Sequence, residues 1–334
     1  MYIFKEKITR VVHNYEPFDD SLILIRGNHQ ESFLQLIDNE GIVTSVNNDT
    51  AYDFVSANEN ILFTNKTSSA TYSYNKNSGS TIKMPYVLHI KGLKSGDNYL
   101  CNAEIEGKEC VLVVSLDSLK EIRSYPTGLG LGGVDVFIDD VFLSSKKRQG
   151  VIALFEFPNR ELWKLNIHEF TDQENDKTSI DEIQVFNDSF VVLFGYSLVC
   201  ISFKGVVNWI TKLAFRPITI DLSEKRGTCV SSSNFCTIDL DSGKVLKSTK
   251  LEAIEWAGLK LPFVGSNPRT FNNQLWCTIQ ANGYNFIAAL NQLTGDLAWL
   301  QNIETPHFIS PPKFHKDSLY TLDTGGNLFV YKKS

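Results

Sequence analysis

Short runs of Val, Ile, Leu, Phe and Tyr alternate along the whole chain with clusters of Gly, Asn, Asp and Ser. Runs of this kind, bounded by turn residues, read as β-strands, and the 3.6-residue period of an amphipathic helix is almost absent. The segment from Phe286 to Leu300 shows the unit most clearly. An apolar run ends at Leu290, Thr294-Gly295 reverses the chain, and a second run carries Trp299 four residues past the glycine. The same strand–turn–strand cassette recurs around Gly243, Gly205 and Gly41. Hairpins repeated at a wide, fairly regular interval predict an array of small antiparallel sheets.

The recurring turn falls at Gly41, Gly79, Leu119, Asn159, Gly205, Gly243 and Gly295, in steps of 38, 40, 40, 46, 38 and 52 residues. A step near 40 is that of a four-stranded propeller blade. The two long steps contain insertions: a polar loop from Asp172 to Thr178, and a segment from Leu251 to Gly258 that reads as a short helical turn. In the fourth unit the pattern predicts strands at 134–137, 141–144, 151–155 and 161–165. In the fifth it predicts 182–186, 190–194, 197–203 and 206–211. Past the seventh turn, strands at 312–315, 318–322 and 327–331 leave a sheet one strand short, and residues 2–8 form the spare strand. Pairing them would remove two exposed sheet edges at once. The expectation is an all-β β-propeller of eight four-stranded blades in a single domain over 1–334. Residues 1–10 supply the closing strand of the last blade, and 15–331 supply the blades. Seven blades is the alternative, with the second unit around Gly79 absorbed as a loop.

The Leu-Asn-x-x-Thr-Gly-x-x-x-Trp pattern from Leu290 to Trp299 resembles the repeat of the quinoprotein-alcohol-dehydrogenase-like (PQQ-like repeat) β-propeller superfamily. Trp209 follows Gly205 by the same four residues, and Trp163 follows Asn159 by four. Asparagine tolerates the left-handed turn that glycine favours. Residues Asp239 to Gly243 keep the aspartate and glycine, but Leu246 and Lys247 lie where a tryptophan would be. The resemblance implies that Trp163, Trp209 and Trp299 share one structural position and dock on the next blade. It implies no particular activity, because one fold hosts many functions. The quinone enzymes of that superfamily hold a calcium-bound quinone, often against an adjacent Cys-Cys pair. No two cysteines are adjacent here, so no cofactor is expected.

Bulk composition narrows the function classes. A net charge of −6 disfavours a nucleic-acid binder, which carries a basic stripe, and leaves room for a basic protein partner. No run approaches 18 apolar residues, so no membrane span is predicted, and Met1 to Arg10 lacks the pattern of a secretory signal. The expectation is a cytoplasmic protein, monomeric when unbound, that binds neither nucleic acid nor membrane. Cys101, Cys110, Cys200, Cys229, Cys236 and Cys277 form no Cys-x-x-Cys pair, and reduced, buried thiols fit that compartment. Cys229 and Cys236 flank a Ser-Ser-Ser-Asn turn and are placed to face each other across a hairpin.

Local motifs assign no chemistry. Gly128 to Gly133 is glycine-rich like a phosphate loop, but no helix and no lysine follow it. Asp239-x-Asp241-x-Gly243 lacks the later acidic ligand of a calcium loop. His13, His168 and His307 fall in expected connections without metal-site spacing, and no nucleophile motif is present. No catalytic residue and no metal site are therefore assigned.

In a propeller, the links between blades and the turns joining second to third strands share one end. Tyr15, Arg26, His29, Tyr52, Tyr86, Tyr125, Phe170, Tyr196, Trp256, Tyr284, His307 and Phe308 are expected there, with Asp172 and Glu174 beside Phe170. Tyr, Trp and Arg dominate binding energy at protein interfaces. The sequence thus reads as a non-catalytic, protein-binding propeller. One concrete version is an immunity protein that neutralises a basic bacterial toxin domain. The alternatives are a propeller hydrolase or lyase with a central-channel site, and a glycan-binding or assembly module.

Overall fold

The structure is a computed structural model. It describes residues 2–18, 21–28, 30–38, 40–46, 50–65, 69–126, 134–157, 160–171, 178–217, 219–223, 225–231, 233–261 and 265–334. Among these, eight four-stranded sheets and one two-stranded hairpin carry the regular structure, together with two short 3-10 turns at Lys147–Gln149 and Ile167–Phe170. The chain is an all-β propeller with eight blades. Blades 1 to 7 span residues 11–45, 51–83, 86–126, 134–166, 180–212, 220–250 and 265–303, each a meander of consecutive strands. By packing, the chain divides into two compact units. Residues 8–143 and 155–160 hold blades 1 to 3. Residues 1–7, 144–154 and 161–334 hold blades 5 to 8, and blade 4 contributes strands to both.

Blade 8 breaks the meander. Its strands are Lys313–His315, Ser318–Leu322 and Leu328–Lys333, and its fourth is Tyr2–Ile8, which pairs with Leu328–Lys333. The Tyr2 ring meets Trp276 and Trp299 of blade 7 edge-on at 5.5 and 6.3 Å, and Phe4 meets Tyr331 at 5.6 Å. The second unit is a full blade, with strands Ala51–Ala57, Asn60–Asn65, Ala70–Asn75 and Thr81–Lys83. The count is therefore eight and not seven.

Burial explains the strand sequences. The two middle strands of blade 5, Ser189–Phe194 and Ser197–Ser202, read as nearly continuous apolar runs. Both of their faces are covered, and Phe190 to Phe194 are all within 1% of full burial. Fourth strands are sheet edges. Val245–Lys250 of blade 6 and Thr81–Lys83 of blade 2 are exposed along almost their whole length. Their lysines discourage pairing with another chain.

The third-to-fourth turn holds its left-handed residue as the spacing predicts. Gly41, Gly79, Leu119, Gly205, Gly243 and Gly295 have φ between 59° and 83°, and Asn159 lies outside the described residues. At two of these turns the glycine is also demanded by packing. Trp163 of blade 4 donates its indole N–H to the Phe203 carbonyl of blade 5 at 2.8 Å, and Trp209 of blade 5 donates to the Leu240 carbonyl of blade 6 at 2.9 Å. Each ring lies against the next blade's turn so closely that a Cβ on Gly205 or Gly243 would stand 2.8 or 2.6 Å from it. The shared position expected for these tryptophans is a blade-to-blade dock. Trp299 of blade 7 also meets the next blade, through the Tyr2 ring of blade 8, beside Trp276. At the blade 3–4 junction Arg123 links to Asp140.

The expected helical turn after Leu251 is a hairpin. Ile254–Trp256 pairs with Leu259–Leu261 through a tight turn at Ala257 and Gly258, with φ of 49° and 77°. Two left-handed residues give the primed turn whose twist suits a two-residue hairpin loop. Ile254 and Leu261 drop into the core beside Leu251 and Phe286.

Candidate interaction face

The aromatic residues picked out by sequence separate into three groups. Tyr15 and Tyr86 are each 3% exposed, so the expectation that they face solvent is corrected. Both sit inside first strands, Val11–Phe18 and Tyr86–Ser95, not in the links before them. Burial raises the pKa of the Tyr86 hydroxyl above its ordinary value, and that hydroxyl donates to the Leu119 carbonyl at 3.1 Å. Arg26 is half-buried and gives its Nε–H to the Thr9 carbonyl at 3.0 Å. Tyr125 stacks on Phe157 at 4.9 Å. These four serve the fold of the first unit. Tyr52 is exposed. His29, Asp172 and Glu174 lie outside the described residues, as does the Gly128 to Gly133 run.

The remaining positions belong to the second unit and lie on its links and second-to-third turns. Phe170, Tyr196, Tyr284 and Phe308 are 38%, 48%, 39% and 65% exposed, and His307 is exposed. Phe170 ends the Ile167–Phe170 turn, where the Asn166 side chain accepts from the His168 N–H. His168 packs edge-on against Phe194 at 4.8 Å and is so close to Gly150 that no side chain fits there.

Blades 7 and 8 bring Trp256, Tyr284, His307 and Phe308 into one neighbourhood. Trp256 is carried by the hairpin and meets the buried Phe286 edge-on at 5.4 Å, and Tyr284 approaches Phe286 at 6.2 Å. Asn285, 2% exposed, donates from Nδ2 to the carbonyls of Thr305 and His307 at 2.8 and 3.1 Å. Thr305 in turn donates to Asp323 at 2.6 Å, and Asn327 donates to Asp323 through its backbone and its side chain, each at 2.8 Å. Burial works against a charged Asp323. The hydrogen bonds from Thr305 and Asn327, with His307 nearby, outweigh it and hold the carboxyl below its usual pKa. His307 lies on Gly325, where a Cβ would stand 2.3 Å from its ring. The loop that presents His307 and Phe308 is thus pinned from beneath by buried hydrogen bonds. Asn285 and Asp323 were not singled out from sequence. Their only local sign is a polar residue bordering an apolar run.

Acidic residues on first strands are engaged as links between blades. Glu182 of blade 5 accepts the Ile220 N–H of blade 6 at 3.0 Å, and Asp221 of blade 6 accepts the Thr270 N–H of blade 7 at 2.6 Å. Burial raises the Asp221 pKa against the lowering pull of Thr270 and Arg269. Asp181 pairs with Arg216 at 3.0 Å. Among the described residues no group of three or more His, Cys, Asp or Glu is placed to hold a metal ion. All six cysteines are buried, and Cys229 and Cys236 are cross-strand partners as expected.

No family model matches the sequence, and no curated protein matches it. Solved structures match over nearly the whole chain. BamB from Moraxella catarrhalis is 14% identical with a TM-score of 0.61, covering 99% of this chain and 100% of that one. Saccharomyces cerevisiae Sqt1 is 11% identical with a TM-score of 0.57, covering 99% and 97%. The dihydro-heme d1 dehydrogenase NirN, in complex with DHE, is 11% identical with a TM-score of 0.57, covering 98% and 78%. At these identities the likeness is one of fold.

Proposed function

We propose that this chain is a non-catalytic, protein-binding member of the PQQ-like repeat propellers, and that its partner seats on the loop end of blades 7 and 8. The observation that carries this reading is the exposed cluster of Tyr284, His307 and Phe308 beside the half-buried Trp256, mounted on a loop fixed by Asn285 and Asp323. Aromatic anchors held in place before binding lose little conformational freedom on association. Interfaces draw most of their energy from a few such side chains. The net charge of −6 favours a basic partner, because complementary potentials speed encounter.

The narrower form of the proposal is an immunity protein acting in the bacterial cytoplasm and sequestering a basic toxin domain. The acidic balance and the irregular, non-repeating loop face favour one specific protein over a repeated ligand. The test is quantitative affinity capture from the native host cell, with wild type and the Tyr284→Ala, Phe308→Ala double variant compared side by side. Both side chains are solvent-facing, so the melting temperature should hold. Loss of two anchors at about 2 kcal/mol each should lower recovery of a basic partner at least tenfold. Equal recovery on both proteins would sink the proposal.

A further inference from the structure

Asparagine recurs at the left-handed positions of the tight turns. Asn58, Asn187, Asn272, Asn273 and Asn282 have φ between 45° and 58°, and all five are exposed. The first four are followed by residues with side chains, Glu59, Asp188, Asn273 and Gln274. Asn282 is followed by Gly283, in the one Asn-Gly pair of the sequence. That pair is the two-residue loop between strands Gln274–Ala281 and Tyr284–Asn291 of blade 7, closed by Ala281 facing Tyr284. Gly283 has φ of 83°, so both loop residues are left-handed, the primed turn that selects Asn-Gly. Folding accounts for the pair, and a reaction comes with it.

Asparagine is a thermolabile side chain. What limits its loss is access of the next residue's backbone nitrogen to its side-chain carbonyl carbon. At Asn282 that access is open. Among the described residues its side chain has no hydrogen-bond partner, whereas Asn58 donates to Asp117 at 3.1 Å. The Gly283 N–H donates to no backbone carbonyl among them. A Cβ on Gly283 would meet nothing within 4 Å, and glycine has none to shield its nitrogen. Closing the ring takes Asn282 out of the left-handed well, a conformation that L-residues disfavour. Asn282, Gly283 and Tyr284 are all exposed, so no packing holds the tip against that rotation.

We propose that Asn282 is a site of spontaneous deamidation and isoaspartate formation, and that the conversion displaces Tyr284. The Gly283 nitrogen adds to Asn282 Cγ, and the bond from Cγ to the side-chain nitrogen breaks. Ammonia leaves with the proton that the Gly283 nitrogen gives up, and a five-membered succinimide remains. Water then opens the ring at one of its two carbonyls. Attack at Cγ breaks the new bond and yields aspartate. Attack at the main-chain carbon breaks the original peptide bond, and the backbone now runs through Cγ, longer by one carbon. No oxidant or reductant takes part. Loop length fixes the register of a hairpin, so the added carbon takes Ala281 and Tyr284 out of opposition. Either product places a carboxylate at the tip. The chemistry does not depend on the loop-end proposal; its effect on a partner rests on that reading, because Tyr284 is one of the anchors.

The test ages the full chain in its native fold at pH 6 and at pH 8, with peptide mapping by mass spectrometry. The expected result is conversion of Asn282 at least tenfold faster than that of Asn187 or Asn272. It should run faster at pH 8, because the attacking nitrogen must lose its proton, and an isoaspartate-specific methyltransferase should label part of the product. The isoaspartyl protein, separated by ion exchange, should lose the cross-strand NMR contact between Ala281 and Tyr284. Asn282→Asp, which adds the charge without the extra carbon, should keep that contact. Conversion of Asn282 no faster than that of Asn187 and Asn272 overturns the site. A product that is aspartate alone overturns the isoaspartyl route, and an intact Ala281–Tyr284 contact in the isoaspartyl protein overturns the displacement. None of these readouts uses a partner, so failure here and failure of the loop-end proposal are distinguishable.

Discussion

Gly243→Ala should be among the most damaging single-methyl additions in this chain. Gly243 has φ of 73°, and a Cβ there would stand 2.6 Å from Trp209 Cδ2, 2.7 Å from Cε3 and 2.9 Å from Thr211 Oγ1. Holding alanine in the left-handed region costs about 1–2 kcal/mol. Moving the indole away loses its bond to the Leu240 carbonyl, about 1 kcal/mol, and crowding a packed site adds about 1–3 kcal/mol. The sum is roughly 4 kcal/mol, a fall in melting temperature on the order of 10 °C. Gly107 provides the control, because its φ is 77° and nothing lies within 4 Å of a Cβ there. Gly107→Ala should carry only the backbone cost, about 1–2 kcal/mol. Calorimetry on both variants, and on Gly243→Ala in a Trp209→Ala background, measures the coupling directly. The reasoning requires that removing the ring relieve most of the Gly243→Ala penalty. Equal losses for Gly107→Ala and Gly243→Ala, or no relief in the double variant, would refute it.

Asp323 is held below its usual pKa, so it contributes stability above the ordinary carboxylate range that is lost as pH falls through the lower folded value. Asp323→Asn should destabilise the protein at pH 7 and flatten the acid limb of melting temperature against pH, read between pH 7 and 3. Deleting residues 2–8 removes the fourth strand of blade 8 and uncovers Leu328–Lys333 as an edge. Size-exclusion chromatography should show aggregation and calorimetry a lower melting temperature, and an unchanged monomer would contradict the pairing. All six thiols are buried, and burial pushes Cys101 and Cys277 up to about 12. A thiol reagent should therefore react slowly with native protein and with all six after denaturation, and rapid labelling of native protein would contradict this burial.

The blades were legible because their third-to-fourth turns need a left-handed residue, and Gly or Asn advertises it. Leu119 carries the same conformation without that signal and was placed by spacing alone. Blade 2 looked weak because its fourth strand is only Thr81–Lys83, too short to show alternation. The Ile254–Leu261 hairpin was missed for a related reason, since three-residue strands carry no period. Tyr86 opens its strand and Tyr15 lies four residues inside Val11–Phe18, so a boundary set a few residues late turns a buried strand position, where side chains alternate between faces, into a link. Lys247 was visible as a departure from the tryptophan pattern. That Phe235, Leu251 and Thr249 fill the space over Gly295 in place of a tryptophan ring follows only from the packing of blade 7 against blade 6.

Blade 8 draws its fourth strand from some 320 residues upstream of the other three, and this sets an order on biosynthesis. Tyr2–Ile8 leaves the ribosome well before Leu328–Lys333, its pairing partner. At about 5–20 residues per second the wait is on the order of tens of seconds. Throughout it Tyr2 and Ile8, buried in the finished fold, have no cover, and nascent-chain holdases gain a natural target.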